Sequence, residues 1–119
     1  MTSEKDLRQL IIEGIQERKG HAITVVDMSH IDTAATGMFV IAEGNSTTHL
    51  ASIAESVEEY VRKNGGIKPF GMDDDEGSDW VILDYGSIWV HIFMPQTRMR
   101  YNLEDLWSDA KITEIPDLD

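Results

Sequence analysis

The sequence predicts an α/β protein, with strands and helices alternating around one sheet, and three observations carry that prediction. Trp80 to Met94 reads WVILDYGSIWVHIFM, two runs rich in β-branched and aromatic residues about Gly86-Ser87. A glycine followed by a small residue suits a two-residue hairpin loop of type II′. Two more β-rich runs precede it, 22–28 (AITVVDM) and 38–42 (MFVIA). Two further stretches repeat apolar residues at helical spacing, Leu7, Leu10, Ile11 and Ile15 in one and Leu50, Ile53, Ala54, Val57 and Val61 in the other.

A chain of 119 residues makes one domain with a single core. We place it at 1–112 and read the acidic 113–119, which contains Pro116, as a loose tail. There is no cysteine, which excludes disulfides and thiolate metal sites. No apolar run approaches the ~20 residues a membrane helix needs. The start, MTSEKDLRQL, lacks the basic and apolar stretches of a signal peptide, so a cytoplasmic location is expected. With 22 acidic against 10 basic residues the net charge is −12. That charge repels phosphate backbones, which argues against direct nucleic-acid binding, and it speeds encounter with a basic partner.

In chain order, Ser3 can cap the first helix, with Glu4 and Asp6 complementing its dipole, and Gly20 ends it. Residues 29–37 read as a polar loop or one short turn of helix, in which Asp32-Thr33 is solvated or capping. Ser46 or Thr47 caps the second helix, and Asn64-Gly65-Gly66 closes it with residues suited to a left-handed turn. Ile67 to Met72 suggests a short edge strand around Pro69. The acidic cluster Asp73 to Glu76 follows and reads as a solvated loop rather than a cation site, since it lacks the alternation of a calcium loop. After the hairpin, Pro95 stops the strand and Gln96 to Arg100 crosses over. Asn102 then caps a last helix carrying Leu103, Leu106, Trp107 and Ala110 on one stripe.

Little in the chain points to catalysis. The serines lie in caps and turns rather than in a nucleophile elbow. The four histidines, His21, His30, His49 and His91, form no i, i+4 metal pair. Asp84 and His91 share a predicted sheet face one register step apart, a dyad in principle but with no nucleophile beside it. The Gly44-Asn45-Ser46 turn into a helix N-terminus can cradle a phosphate, yet it lacks a lysine and a second glycine at dinucleotide spacing. A nucleotide-handling enzyme using that turn, with Asp84 or the Asp73–Glu76 loop holding a metal, is therefore the alternative. The preferred reading has no enzyme, no cofactor and no metal.

The hairpin itself suggests a function. If Tyr85 pairs with Ile88, then Asp84 faces Trp89, Leu83 Val90, Ile82 His91, Val81 Ile92 and Trp80 Phe93. Alternation places Val81, Leu83, Tyr85, Ile88, Val90 and Ile92 on one aliphatic face, a core wall under helices. The other face carries Trp80, Ile82, Asp84, Trp89, His91 and Phe93. Two explanations stand for it: a sheet covered on both sides, or a protein-docking surface, because large aromatics anchor interfaces.

WVILDYGSIWVHIF followed by RMRYNLEDLW, together with FVIAEGNSTTHLASIAESV upstream, resembles the ribosomal silencing factor, or Iojap, family. The likeness runs from about Asp27 to Ala110. It departs at Thr36, Gly37 and Met38, where the family usually has Ala-Asp-Tyr, and at Arg98-Met99-Arg100-Tyr101, where the family has an aromatic residue before the tyrosine. The resemblance implies a mixed β-sheet flanked by helices, with a nucleotidyltransferase-like topology lacking the catalytic residues, and commonly a homodimer. It implies a translational repressor that binds a basic ribosomal protein on the intersubunit face of the large subunit and blocks small-subunit joining when nutrients are scarce. Large-subunit assembly is the role linked with its organellar relatives. On that reading Trp80, Trp89 and Phe93 supply buried area to the partner and Asp84 and His91 supply orientation. Tyr85 contributes from the rim, and Met94 completes the partner-binding set.

Overall fold

The computed structural model describes residues 4–29, 37–73, 79–102 and 110–117. Among the described residues, three helices and six strands follow in the order α1 (Glu4–Glu17), β1 (His21–Asp27), β2 (Met38–Glu43), α2 (Thr47–Gly65), β3 (Gly71–Asp73), β4 (Trp80–Asp84), β5 (Ile88–Phe93), α3 (Pro95–Tyr101) and β6 (Lys111–Ile115). The strands form one sheet in the order β3-β4-β5-β2-β1-β6. Every neighbouring pair is antiparallel except β2 with β5, which run parallel at the centre. The mixed sheet flanked by helices is thus the fold that the sequence implies.

The aliphatic face forms the main core. Val81, Leu83, Tyr85, Ile88, Val90 and Ile92 pack there with Val40, Ala42, Ile23 and Val25 from the other strands. They meet Leu7, Ile11 and Ile15 of α1 and Leu50, Ile53, Val57 and Val61 of α2. The two helices approach closely where α1 carries Gly14. A Cβ added there would lie 2.9 Å from the Val57 Cα, and the Ser56 hydroxyl donates to the Gly14 carbonyl at 2.7 Å. Gly14→Ala is therefore expected to push the helices apart and cost about 1–3 kcal/mol, measured by urea unfolding. An unchanged midpoint would show that α1 slides at no cost.

Local signals explain most element ends. Ser46, in extended backbone, accepts from the His49 N–H at 3.0 Å and starts α2, while Gly66 in the left-handed region (φ 67°) ends it. α1 ends differently from expectation. The left-handed residue is Lys19 (φ 58°), and Gly20 is needed for space, since a Cβ there would run into Ile15. The Ser3 cap and Asp32-Thr33 fall outside the described residues.

Two larger corrections lie at the C-terminal end. Gln96 to Arg100, read as a crossover, lie within α3 (Pro95–Tyr101). Pro95 does stop β5, but it also starts a helix at a position where its missing N–H costs nothing. Asn102, read as an N-cap, adopts φ 46° and closes α3 instead, its N–H donating to the Arg98 carbonyl at 2.8 Å. The predicted helix over 103–110 lies outside the described residues as far as 109. Residues 113–115, read as loose, belong to β6, where Ile115 pairs with Ile23 and Thr113 with Val25. The β-branched alternation of Lys111-Ile-Thr-Glu-Ile outweighs its acidic surroundings, because β1 offers an open edge to pair with.

Candidate docking face

The hairpin adopts the register read from the sequence, from Trp80 opposite Phe93 through Asp84 opposite Trp89, and the Tyr85 N–H donates to the Ile88 carbonyl at 2.9 Å. Gly86 takes φ 85° and Ser87 no positive φ, the asymmetry expected of a II′ turn. Asp84 adds a local brace, its Oδ1 accepting from the Gly86 N–H at 2.7 Å.

Residues opposite one another in register share a face, which maps the ring-rich side across the sheet. One row runs Gly71, Asp84, Trp89, Phe39, Val26 and Ile112, and the next runs Asp73, Ile82, His91, Ile41, Thr24 and Glu114. Phe39, Ile41, Phe93, Val26 and Met28 form a second buried cluster on this side, with Trp80, Trp89 and Ala110 partly buried against it. The rings are in mutual contact. Trp80 lies 5.0 Å from Phe93 and 4.6 Å from Tyr101, and Phe39 meets His91 edge-on at 4.5 Å and Trp89 at 6.4 Å.

The expected site residues separate by depth. Trp80, Asp84 and Trp89 are half-buried and present part of their surface to solvent. His91 (3% exposed) and Phe93 (1%) lie inside, so they act as the floor of this face and have no area to offer a partner. Tyr85, expected at the rim, is buried on the opposite, helix-covered face, and Met94 packs against that same core. Side-chain alternation puts Tyr85 there, with its hydroxyl unbonded among the described residues and its pKa pushed up by burial.

Asp84 and His91 do not form a dyad. The Trp80 indole N–H takes the imidazole instead, donating to Nδ1 at 3.1 Å, which leaves the ring proton on Nε2. Desolvation lowers the His91 pKa to about 4, so the ring is neutral at pH 7.

α3 covers one end of this face through contacts that the sequence reading missed. Arg98 reaches back to β1 and β2, with Nη1 donating to the Ala22 carbonyl (2.6 Å) and to Glu43 (3.0 Å) and Nη2 to the Thr24 hydroxyl (2.8 Å). Ala22 sits in the left-handed region (φ 52°) at a bulge in β1, and its N–H donates to Asp117 at 2.8 Å. Thr97 donates to Asp79 at 2.7 Å, fixing the other side of the helix. The Arg98–Glu43 pair joins residues far apart in sequence, and no local signal could have suggested it.

The Gly44-Asn45-Ser46 turn is already filled. The Gly44 N–H donates to the Phe93 carbonyl at 3.1 Å, the Asn45 N–H to His49 Nδ1 at 2.9 Å, and the Ser46 hydroxyl accepts from the His49 N–H. A Cβ on Gly44 would lie 2.7 Å from the Leu50 Cδ2, so close packing against α2 accounts for the glycine here. With Nδ1 accepting, His49 donates from Nε2 to the Arg18 carbonyl (2.6 Å), tying α2 to the end of α1. Among the described residues no three His, Asp or Glu side chains gather as a metal site would require. No described helix is long and apolar enough to cross a membrane.

Comparison with known proteins agrees with this architecture. A family profile described as "Ribosomal silencing factor during starvation" matches residues 1–119. A ribosomal silencing factor of Halalkalibacterium halodurans is 32% identical over 113 residues, covering 95% of each chain. The mouse protein named "Mitochondrial assembly of ribosomal large subunit protein 1" is 40% identical over 78 residues, which cover 61% of this chain and 33% of that one. A crystal structure from Chromobacterium violaceum superposes with a TM-score of 0.82 at 28% identity, covering 89% of this chain and 87% of that one. A family profile matched along the whole chain, a bacterial relative matched over 95% of both chains and a crystal structure of the same fold place this protein in the ribosomal silencing factor family.

Proposed function

We propose that this chain represses translation by docking Trp80, Trp89 and Asp84 onto a basic protein of the large ribosomal subunit, where its bulk blocks the small subunit from joining. The observation that carries the reading is a half-buried pair of tryptophans mounted on a floor of packed rings. Such a floor holds the anchors in place before contact, so little side-chain entropy is lost on binding. The carboxylates Asp73 and Asp84 lie on the same face, and the net charge of −12 favours a cationic partner. Acidic charge also discourages the protein from settling on ribosomal RNA. Family membership supports the same reading, extends it to a cytoplasmic, ribosome-bound homodimer, and requires no catalysis.

The test is sedimentation of purified ribosomal subunits with and without the protein. Co-migration with the large subunit and loss of joined ribosomes are expected; joined ribosomes that persist at saturating protein would refute the block. Trp89→Ala should weaken co-migration at least tenfold, on the order of 1.4 kcal/mol or more, while leaving the circular dichroism unchanged. A second reading, assembly of the large subunit, is favoured by the name of the mouse relative. Preferential binding to immature over mature large subunits would select it.

A further inference from the structure

Beyond the tryptophan face, the sheet ends at β3, and the apolar side chains there lie open. Phe70 is 84% exposed and Met72 38% exposed. The Phe70 ring is not a free end. Its backbone N–H donates to the Asp84 carbonyl at 2.7 Å, and its ring lies so close to Gly86 that a Cβ there would approach it to 2.9 Å. The hairpin turn thus holds a phenyl ring out in solvent beside β3. Among the described residues, no strand pairs with the outer edge of β3. An exposed edge with fixed apolar side chains is a template for strand addition, the surface most proteins blunt.

The two sides of this edge differ chemically. Met72 pairs with Leu83 and so belongs to the apolar, helix-covered side. Asp73 pairs with Ile82 and belongs to the ring-rich side, as does Asp84 opposite Gly71. A strand laid along β3 would present its side chains alternately to these two sides. We propose that β3 takes an extended segment of the partner protein as a seventh strand, one in which apolar residues alternate with lysine or arginine. The apolar residues meet Met72 and Phe70, and the basic ones meet Asp73 and Asp84. The proposal rests on the docking reading above and deepens it, because it names the conformation and sequence pattern of what is bound.

The experiment combines hydrogen exchange with sedimentation, using purified large ribosomal subunits as the probe. When the wild-type protein is bound, the amides of residues 71–73 should gain protection, and Phe70→Ser should weaken co-migration about tenfold. Phe70 is almost wholly exposed, so the variant should keep its circular dichroism spectrum. If the wild type pellets with the subunits but residues 71–73 exchange as fast as in the free protein, strand addition is overturned while docking stands. If Phe70→Ser pellets as the wild type does, the edge is not part of the contact. If the wild type does not pellet at all, the docking reading itself fails.

Discussion

Replacing Arg98 by alanine is expected to destabilise the protein by about 3 kcal/mol, read as a fall in the urea midpoint. The guanidinium, largely buried against Glu43, serves three acceptors on two strands. Its removal leaves the Ala22 carbonyl, the Thr24 hydroxyl and the Glu43 carboxylate without those donors, and the lost donors matter more than the lost ion pair. Arg98→Lys should recover only part, since an ammonium cannot reproduce the planar fork. Because α3 also carries Tyr101 against Trp80, the alanine variant should lose near-ultraviolet circular dichroism from that tilted ring pair. A midpoint within about 0.5 kcal/mol of wild type would show that apolar packing alone holds α3.

The second large effect is a loss of stability on acidification. His91 titrates near its ordinary 6.5 in the unfolded chain and at about 4 in the folded one, because burial disfavours the imidazolium. Above pH 6.5 both states hold the ring neutral and stability is undiminished. As pH falls from 6.5 towards 4, the unfolded chain takes up a proton that the folded chain refuses, and stability drops by up to about 3 kcal/mol. Glu13 and Glu59 also have lowered pKa values, through bonds from Gln9 and Tyr60 and from Lys63 respectively, but both are only partly buried and act below 4.5. Urea midpoints at pH 7, 6 and 5 should therefore decline in the wild type. In His91→Gln, which retains an acceptor for the Trp80 indole, the decline should be much shallower. Equal slopes in the two proteins would place the titration elsewhere.

What could be read from the chain divides by the range of the interactions involved. The hairpin register was legible because period-two alternation and the Gly86-Ser87 turn point to the same pairing. α2 was legible because its cap, stripe and terminal glycine agree. The N-terminal boundary of α3 misled because proline both ends a strand and begins a helix, and asparagine suits either end of a helix. β6 was hidden because an edge strand takes its reason from the strand beside it. The candidate face was legible in composition but not in depth. Nothing local says that His91 and Phe93 lie beneath the two tryptophans, or that Arg98 crosses to Glu43. Phe70 was missed because its exposure is set by the distant Gly86 turn, and a lone phenylalanine after a proline signals nothing by itself.

The pairing of β6 with β1 has a consequence for how the protein is made. β1 is buried along most of its length, and its outer edge is sealed by β6, which is synthesised after every other described strand. Until then a nascent chain holds a sticky, β-branched ribbon open to other unfinished copies. A frameshift or premature stop after residue 110 would make that interval permanent and yield a product prone to clump. Synthesis of β6 thus serves as this fold's own quality check.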